Sequence, residues 1–132
     1  MSDETPALDT IGAISLFVGD VARAKAWYST VLQLPVVFED DVSAVIKFEN
    51  TLLNLLLRST AHDMIAPAVV AAPNAGAHLQ FTIWVKDADD ACAELQARGV
   101  SLLNGPIDRP WGQRTACFAD PDGYVWEIAQ RL

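Results

Sequence analysis

The stretch Ala-Asp-Pro-Asp-Gly-Tyr-Val-Trp-Glu-Ile at residues 119–128 decides the fold of this chain. Asp, Pro and Gly occupy the first, second and fourth positions of residues 120–123, where a type I turn favours them. The turn predicts a hairpin of two strands. Because strand side chains alternate between faces, Trp126 is expected to face the core and Glu127 the opposite side. Glu127 is then either a solvated strand residue or the one carboxylate of a ligand site.

The composition predicts a soluble, cytoplasmic protein of one domain. The 132 residues are 52% hydrophobic, which suffices for a substantial core. No apolar segment is long enough to span a membrane, and the acidic N-terminus lacks the layout of a secretory signal. Cys92 and Cys117 stand in no metal-type spacing, so we expect packing thiols rather than a disulfide or zinc site.

The charge balance excludes nucleic acid as a partner. Seventeen acidic residues against nine basic ones give a formal net charge of -8, and no cluster of Lys and Arg is present to neutralise phosphates. By long-range steering, this acidity would attract a cationic small molecule.

The sequence consists of two similar halves. Phe-Val-x-Asp-x-x-x-Ala at 17–24 returns as Trp-Val-x-Asp-x-x-x-Ala at 84–91. Each Asp follows a strand and is placed to cap a helix, the first to about Leu32 and the second to Arg98. Such an offset indicates a duplicated unit. Strands are predicted after the helices at 36–39, 43–48 and 52–58, and again at 100–103, 113–119 and 124–130.

The predicted fold class is therefore α+β, with two βαβββ modules at 11–58 and 78–132. The linker at 59–77, rich in Ala and Pro, is expected to be packed and to carry one helical turn. Residues 1–10 are predicted to be disordered. Gln33 ends the first helix where a glycine would be favourable, so a left-handed conformation there would cost about 1 kcal/mol.

A repeated βαβββ unit that ends in Asp-Pro-Asp-Gly-Tyr-x-x-Glu resembles the vicinal oxygen chelate superfamily. This superfamily includes glyoxalase I, extradiol dioxygenases, and fosfomycin-modifying and bleomycin-resistance proteins. The resemblance covers residues 11–132, and further motifs support it: Val-Gly-Asp at 18–20, Val-Lys-Asp at 85–87 and Trp-Gly-Gln-Arg at 111–114. It implies two sheets that curl into a cup, with a ligand inside and often a dimer around it.

Enzymes of this superfamily hold a divalent metal with one residue on the first and one on the last strand of each module. The resemblance places these positions at Ala13, Gln80, Glu127 and, within two residues, Asn54. Ala13 offers no donor, and the two amides are weak neutral ones, whereas transition metals prefer His, Cys and several carboxylates. We therefore predict no bound metal and no cofactor. His78, two residues before Gln80, is a rim histidine, or a ligand if the strand is shifted by one pleat.

The predicted function is metal-independent binding of a drug-like or metabolite ligand, as in bleomycin-resistance proteins. The alternative is a lyase, isomerase or dioxygenase of glyoxalase type, with a divalent metal as cofactor and Glu127 as its ligand or as a base. A third possibility is a dimerising scaffold without a small ligand. The candidate ligand-binding residues are Asn54, His78, Gln80, Trp111, Arg114 and Glu127.

Two of these candidates lie in a predicted loop at 109–114. Trp111 would stack on a planar ligand or pack as part of a lid. Arg114 would enter the cup as an anion clamp or as the partner of Glu127, unless it is a surface arginine. A homodimer is expected because the apolar run at 52–57 and the linker offer more apolar surface than one chain covers.

Overall fold

A computed structural model of the chain describes residues 5–132. The predicted disorder of residues 1–10 lies partly outside this range. Eight strands and three helices follow one another within the described residues: β1 Ala13–Val18, α1 Val21–Val31, β2 Val36–Glu39, β3 Ser43–Lys47, β4 Leu52–Leu57, α2 Arg58–Ile65, β5 Gln80–Trp84, α3 Ala88–Ala97, β6 Asn104–Arg109, β7 Gln113–Ala119 and β8 Val125–Arg131. No helix among them has the length and apolar character that a membrane crossing requires.

The two predicted helix caps are present. The Asp20 carboxylate accepts a hydrogen bond from the Arg23 N–H at 3.0 Å, and Asp87 accepts one from the Asp90 N–H at 3.0 Å. Each bond satisfies a backbone donor that the first helical turn leaves free. The repeated Asp therefore starts α1 and α3 in the same way.

Each module folds into a mixed sheet of four strands. The strand orders are β1-β4-β3-β2 and β5-β8-β7-β6, with the first pair of each sheet parallel and the others antiparallel. The registers match, because Ala13 faces Leu52 across the first parallel pair and Gln80 faces Val125 across the second. This arrangement confirms the α+β fold with two βαβββ modules.

One hydrophobic core joins the modules. It contains the helix-facing side chains of both sheets together with the buried faces of α1 and α3. Trp126 lies at its centre, stacked on Phe48 of the first module and on Phe81 of the second, with ring centroids 5.5 and 4.5 Å apart. The prediction that Trp126 faces the core is confirmed, and the two modules bury their apolar faces against each other.

A buried polar contact crosses between the modules inside this core. The Tyr28 hydroxyl of α1 donates to the Asp120 carboxylate at 2.5 Å and accepts from the Trp126 indole N–H at 3.1 Å. Asp120 also accepts from the backbone N–H groups of Asp122 and Tyr124, both at 2.9 Å. Burial raises the pKa of Asp120 and, with the nearby carboxylate, that of Tyr28. The Asp-Pro-Asp-Gly turn thus anchors one module to the helix of the other.

Three details differ from the sequence prediction. The strand expected at 100–103 lies at Asn104–Arg109 instead, because Asn-Gly-Pro at 104–106 starts an irregular strand rather than forming a turn. The linker contains the eight-residue helix α2, which begins at Arg58, where a strand was predicted. The apolar run at 52–57 is mostly buried: Leu53 and Leu55 lie in the shared core and Leu56 lies under α2. This run therefore gives no support to a dimer.

Candidate functional site

Each sheet has one face turned away from the shared core, which we call its open face. On the first sheet, this face carries Ser15 and Asn54. On the second sheet, it carries Thr82 and Glu127. Because the helix-facing sides of both sheets share one core, the open faces lie on opposite sides of the molecule. Asn54 and Glu127 of one chain therefore do not converge on one ligand.

The two open faces carry equivalent polar pairs. The Asn54 amide donates to the Ser15 hydroxyl at 3.2 Å, and the Thr82 hydroxyl donates to the Glu127 carboxylate at 2.9 Å. Asn54 lies two residues beyond the partner of Ala13, as Glu127 lies two residues beyond the partner of Gln80. The register thus fixes Asn54 as the counterpart of Glu127, which the sequence left uncertain by two residues.

The side chains at the four superfamily metal positions do not suit a divalent ion. Ala13 has no donor atom. The Gln80 amide donates to the Cys117 thiol at 3.1 Å, so its N–H side is turned into the sheet. Glu127 is the one charged member, and a site with one carboxylate and two amides binds transition metals poorly. Among residues 5–132, no cluster of three or more His, Cys, Asp or Glu side chains is placed to hold a metal.

Arg114 lies on the helix side of the second sheet. It forms ion pairs with Asp108 at 2.6 Å and with Asp89 of α3 at 3.2 Å. Its neighbour on β8 is Gln130, whose side chain accepts a hydrogen bond from the Ala88 N–H at the start of α3. This corrects the expectation that Arg114 enters the cup or pairs with Glu127. Asp108 raises the pKa of Arg114, which in turn lowers that of Asp108.

His78 lies outside the strand that was expected to carry it, because β5 begins at Gln80. It lines a cavity of about 180 Å³ beside Arg58, Asp122 and residues of the linker. Burial raises the pKa of Tyr124 at the cavity wall, where its hydroxyl donates to the Phe17 carbonyl at 3.0 Å. His78 is thus next to Gln80 in sequence but belongs to a separate hollow under the linker.

Trp111 stands at the tip of the β6–β7 hairpin and is 65% exposed. Its indole N–H donates to the Gln113 side chain at 3.2 Å. Trp84 is 52% exposed at the end of β5 on the second open face. Arg131 lies 4.2 Å from the centroid of the Trp84 ring. Sequence reasoning missed Trp84 and Arg131, although the alternation of β8 from Glu127 would have placed Arg131 on this face.

The protein family that the sequence matches is consistent with this architecture. Residues 10–128 match the glyoxalase/bleomycin resistance protein/dioxygenase superfamily. The chain belongs to this superfamily. Comparison with curated protein sequences gives no match.

Solved structures of several proteins share the fold. A glyoxalase/bleomycin resistance protein/dioxygenase from Nocardioides is 23% identical, with a TM-score of 0.86 over 97% of this chain and 87% of that one. Lactoylglutathione lyase from Agrobacterium tumefaciens is 19% identical, with a TM-score of 0.75 over 94% and 95%. The antibiotic-binding protein TnmS3 from Streptomyces sp. CB03234 is 27% identical, with a TM-score of 0.72 over 97% and 100%. The likeness thus extends to a protein named as a lyase and to one named as a binder.

Proposed function

We propose that this superfamily member is a metal-independent protein that binds and sequesters a small molecule. The proposal rests on the side chains at the superfamily's metal-binding positions. Of the four positions where superfamily enzymes hold their metal, one is Ala13 and two are the amides Asn54 and Gln80. Catalysis by the enzymes' route needs a metal that polarises a carbonyl or enolate oxygen, and such a metal needs about three strong protein ligands. Glu127 alone does not supply them.

The second open face is the ligand surface in this proposal. It presents two exposed aromatic rings, Trp84 and Trp111, together with the Glu127 carboxylate. Small-molecule sites commonly have aromatic walls and a few polar groups that fix orientation, and the open face of a second copy would close this one. The likeness to TnmS3, whose name describes antibiotic binding, supports a binding role. Glu127 then selects a hydrogen-bond donor on the ligand.

A homodimer completes the site in this proposal. The two open faces of one chain point away from each other, so a closed cup needs the open face of a second copy. Large apolar side chains toward the end of the second sheet that carries the β6–β7 hairpin are exposed and would be covered by such a partner: Trp84, Ile107, Trp111 and Leu132. The expected arrangement pairs the first open face of one copy with the second open face of the other.

Metal content tests the central claim. The protein is purified after growth with Ni, Zn, Mn and Fe, and elemental analysis is combined with an assay for lactoylglutathione lyase activity. We expect neither a stoichiometric metal nor turnover. About one metal ion per chain that is lost in Glu127→Ala but kept in Glu94→Ala, an exposed control on α3, would replace binding with the metal-dependent enzyme.

Sedimentation tests the dimer separately. A dimer at micromolar concentration is expected, and Trp84→Glu should convert it to a monomer, because a charge would enter the covered surface. Gln96→Glu places the same charge on the exposed side of α3, on the helix side of the second sheet, and should leave the dimer intact. A wild-type monomer would leave the second open face uncovered and refute the closed cup.

A further inference from the structure

A row of three side chains crosses one end of the second open face. Arg109 on β6 pairs in register with Gln113 on β7, and Gln113 pairs with Arg131 on β8. Neighbouring strands lie about 4.8 Å apart, so the Cα atoms of the two arginines are about 10 Å apart. We call these three residues the arginine row.

An exposed tryptophan accompanies each arginine of the row. Arg131 lies over the Trp84 ring at 4.2 Å, and Arg109 lies 6.0 Å from the centroid of the Trp111 ring. Arg109 also donates to the Thr115 hydroxyl at 2.9 Å, and Gln113 holds the Trp111 indole. Arg131 is thus held by stacking and Arg109 by stacking and one hydrogen bond, and both guanidinium groups keep N–H donors for a ligand. Stacking on an aromatic ring suits the planar guanidinium better than it would suit an ammonium.

Both guanidinium groups are free of ion pairs within residues 5–132. The ion pairs of the described chain use Lys25, Arg58, Arg98 and Arg114, and none includes Arg109 or Arg131. The chain as a whole has a formal net charge of -8. Two unpaired positive charges beside two exposed tryptophans therefore form a local exception to the acidity of the molecule.

We propose that the second open face selects planar aromatic anions. The fused rings of the ligand lie against Trp84 and Trp111, and a carboxylate or acidic hydroxyl of the ligand accepts hydrogen bonds from Arg109 and Arg131. Glu127 lies four residues before Arg131 on β8, about 13 Å away, and accepts from a donor at the far end of the ligand. This inference rests on the proposed function and reverses the expectation, drawn from net charge, of a cationic ligand.

Two probes of the same shape test the inference. Anthraquinone-2-carboxylate carries the charge, and anthraquinone-2-carboxamide is its neutral counterpart. Their dissociation constants are measured by quenching of tryptophan fluorescence or by calorimetry. We expect the carboxylate to bind about tenfold more tightly, because hydrogen bonds to a charged group are the stronger ones. Its affinity should also fall as salt is raised, while that of the carboxamide stays level.

Variants of the two arginines test whether they cause the preference for the carboxylate. Arg131→Gln and Arg109→Gln should each reduce the preference for the carboxylate, and the double variant should abolish it. Arg23→Gln removes an exposed arginine of α1 and should change nothing. A preference that survives in the double variant, or the absence of binding by both probes, would overturn the inference.

The outcomes separate this inference from the proposed function. If the two probes bind equally well, the planar ligand site stands and the selection for anions is refuted. If the protein contains a metal and catalyses a reaction, the proposed function fails whatever the probes do. If the carboxylate alone binds and the arginine variants lose it, both conclusions stand together.

Discussion

The open face of the first module lies partly under α2 and the linker, whereas on the open face of the second module the side chains of β5 are exposed to solvent. Phe17 and Leu56 on the first face pack against Ala61, Ile65 and Val70. On the second face, the strand residues Gln80, Thr82 and Trp84 are all exposed. The two faces have the same strand order and the same register, so the difference arises from what each module places on its sheet.

Some features recur in both modules and others do not. The Asp caps, the strand pairing and the polar pair on each open face all recur. The charged member of the pair, the exposed tryptophans and the arginine row occur on the second face. The repeated features therefore build the two sheets alike, and the modules differ in the side chains of their open faces.

The two modules also place different side chains at equivalent positions of the shared core. Tyr28 lies eight residues after the first cap, and Leu95 stands at that distance from the second. Asp120 lies two residues beyond the β7 residue that pairs with Trp126, and Phe48 occupies the matching place in the first module. The hydrogen bond from Tyr28 to Asp120 thus has an apolar counterpart, with Phe48 and Leu95 both among the side chains of the core.

Gly105→Ala in the second module should cause the largest loss of stability. Gly105 has a positive φ of 91°, and an added Cβ would collide with the Thr115 carbonyl oxygen and lie 2.6 Å from the Ala116 Cα. Because these neighbours are backbone atoms, we expect a loss of about 3 kcal/mol in the free energy of unfolding. Urea denaturation measures it.

Gly112→Ala is the matched control for this prediction. Gly112 also has a positive φ, of 87°, but an added Cβ there has open space around it. We expect about 1 kcal/mol from the backbone conformation alone. Equal losses in the two variants would show that the close approach of β6 to β7 does not constrain this module.

Strand β7 shows why the sequence predicted the fold better than the site. The repeated caps and the Asp-Pro-Asp-Gly turn are local signals, and they placed both helices and the hairpin correctly. The face of Arg114, however, depends on alternation along β7, where Thr115, Ala116, Cys117 and Phe118 are all buried. A strand buried on both faces has no polar period, so the ion pairs of Arg114 with other elements had no signal in the sequence.

Tyr28→Phe should break the polar contact between the modules and cause the next largest loss of stability. The substitution leaves the Asp120 carboxylate without the donor that reaches it from α1, and Trp126 without an acceptor for its indole N–H. We expect a loss of about 2 kcal/mol, because buried polar groups without partners are costly. In a double-mutant cycle, the loss should be smaller when Asp120 is already Asn. Additive losses would show that the two groups do not interact.

The buried contact between Tyr28 and Asp120 should also make the stability of the protein depend on pH. Burial raises the pKa of Asp120 in the folded state, so the folded protein binds its proton more tightly than the unfolded chain does. The contribution of this group is therefore largest below its unfolded pKa and falls as pH rises through the folded pKa. Asp120→Asn should cost more stability at pH 4 than at pH 7. A penalty independent of pH would show that burial of this carboxylate does not affect its titration.

The ends of the two helices give the smallest expected effect and the most direct comparison of the modules. The residue after the cap is Gln33 with φ 54° in the first module and Gly99 with φ 89° in the second. Because a side chain in the left-handed region is strained, Gln33→Gly should stabilise the protein by about 1 kcal/mol, and Gly99→Gln should destabilise it by a similar amount. Thermal unfolding of both variants gives the two values. If Gln33→Gly instead destabilises the protein, the Gln33 side chain makes contacts that outweigh the strain, and the two helix ends are not equivalent.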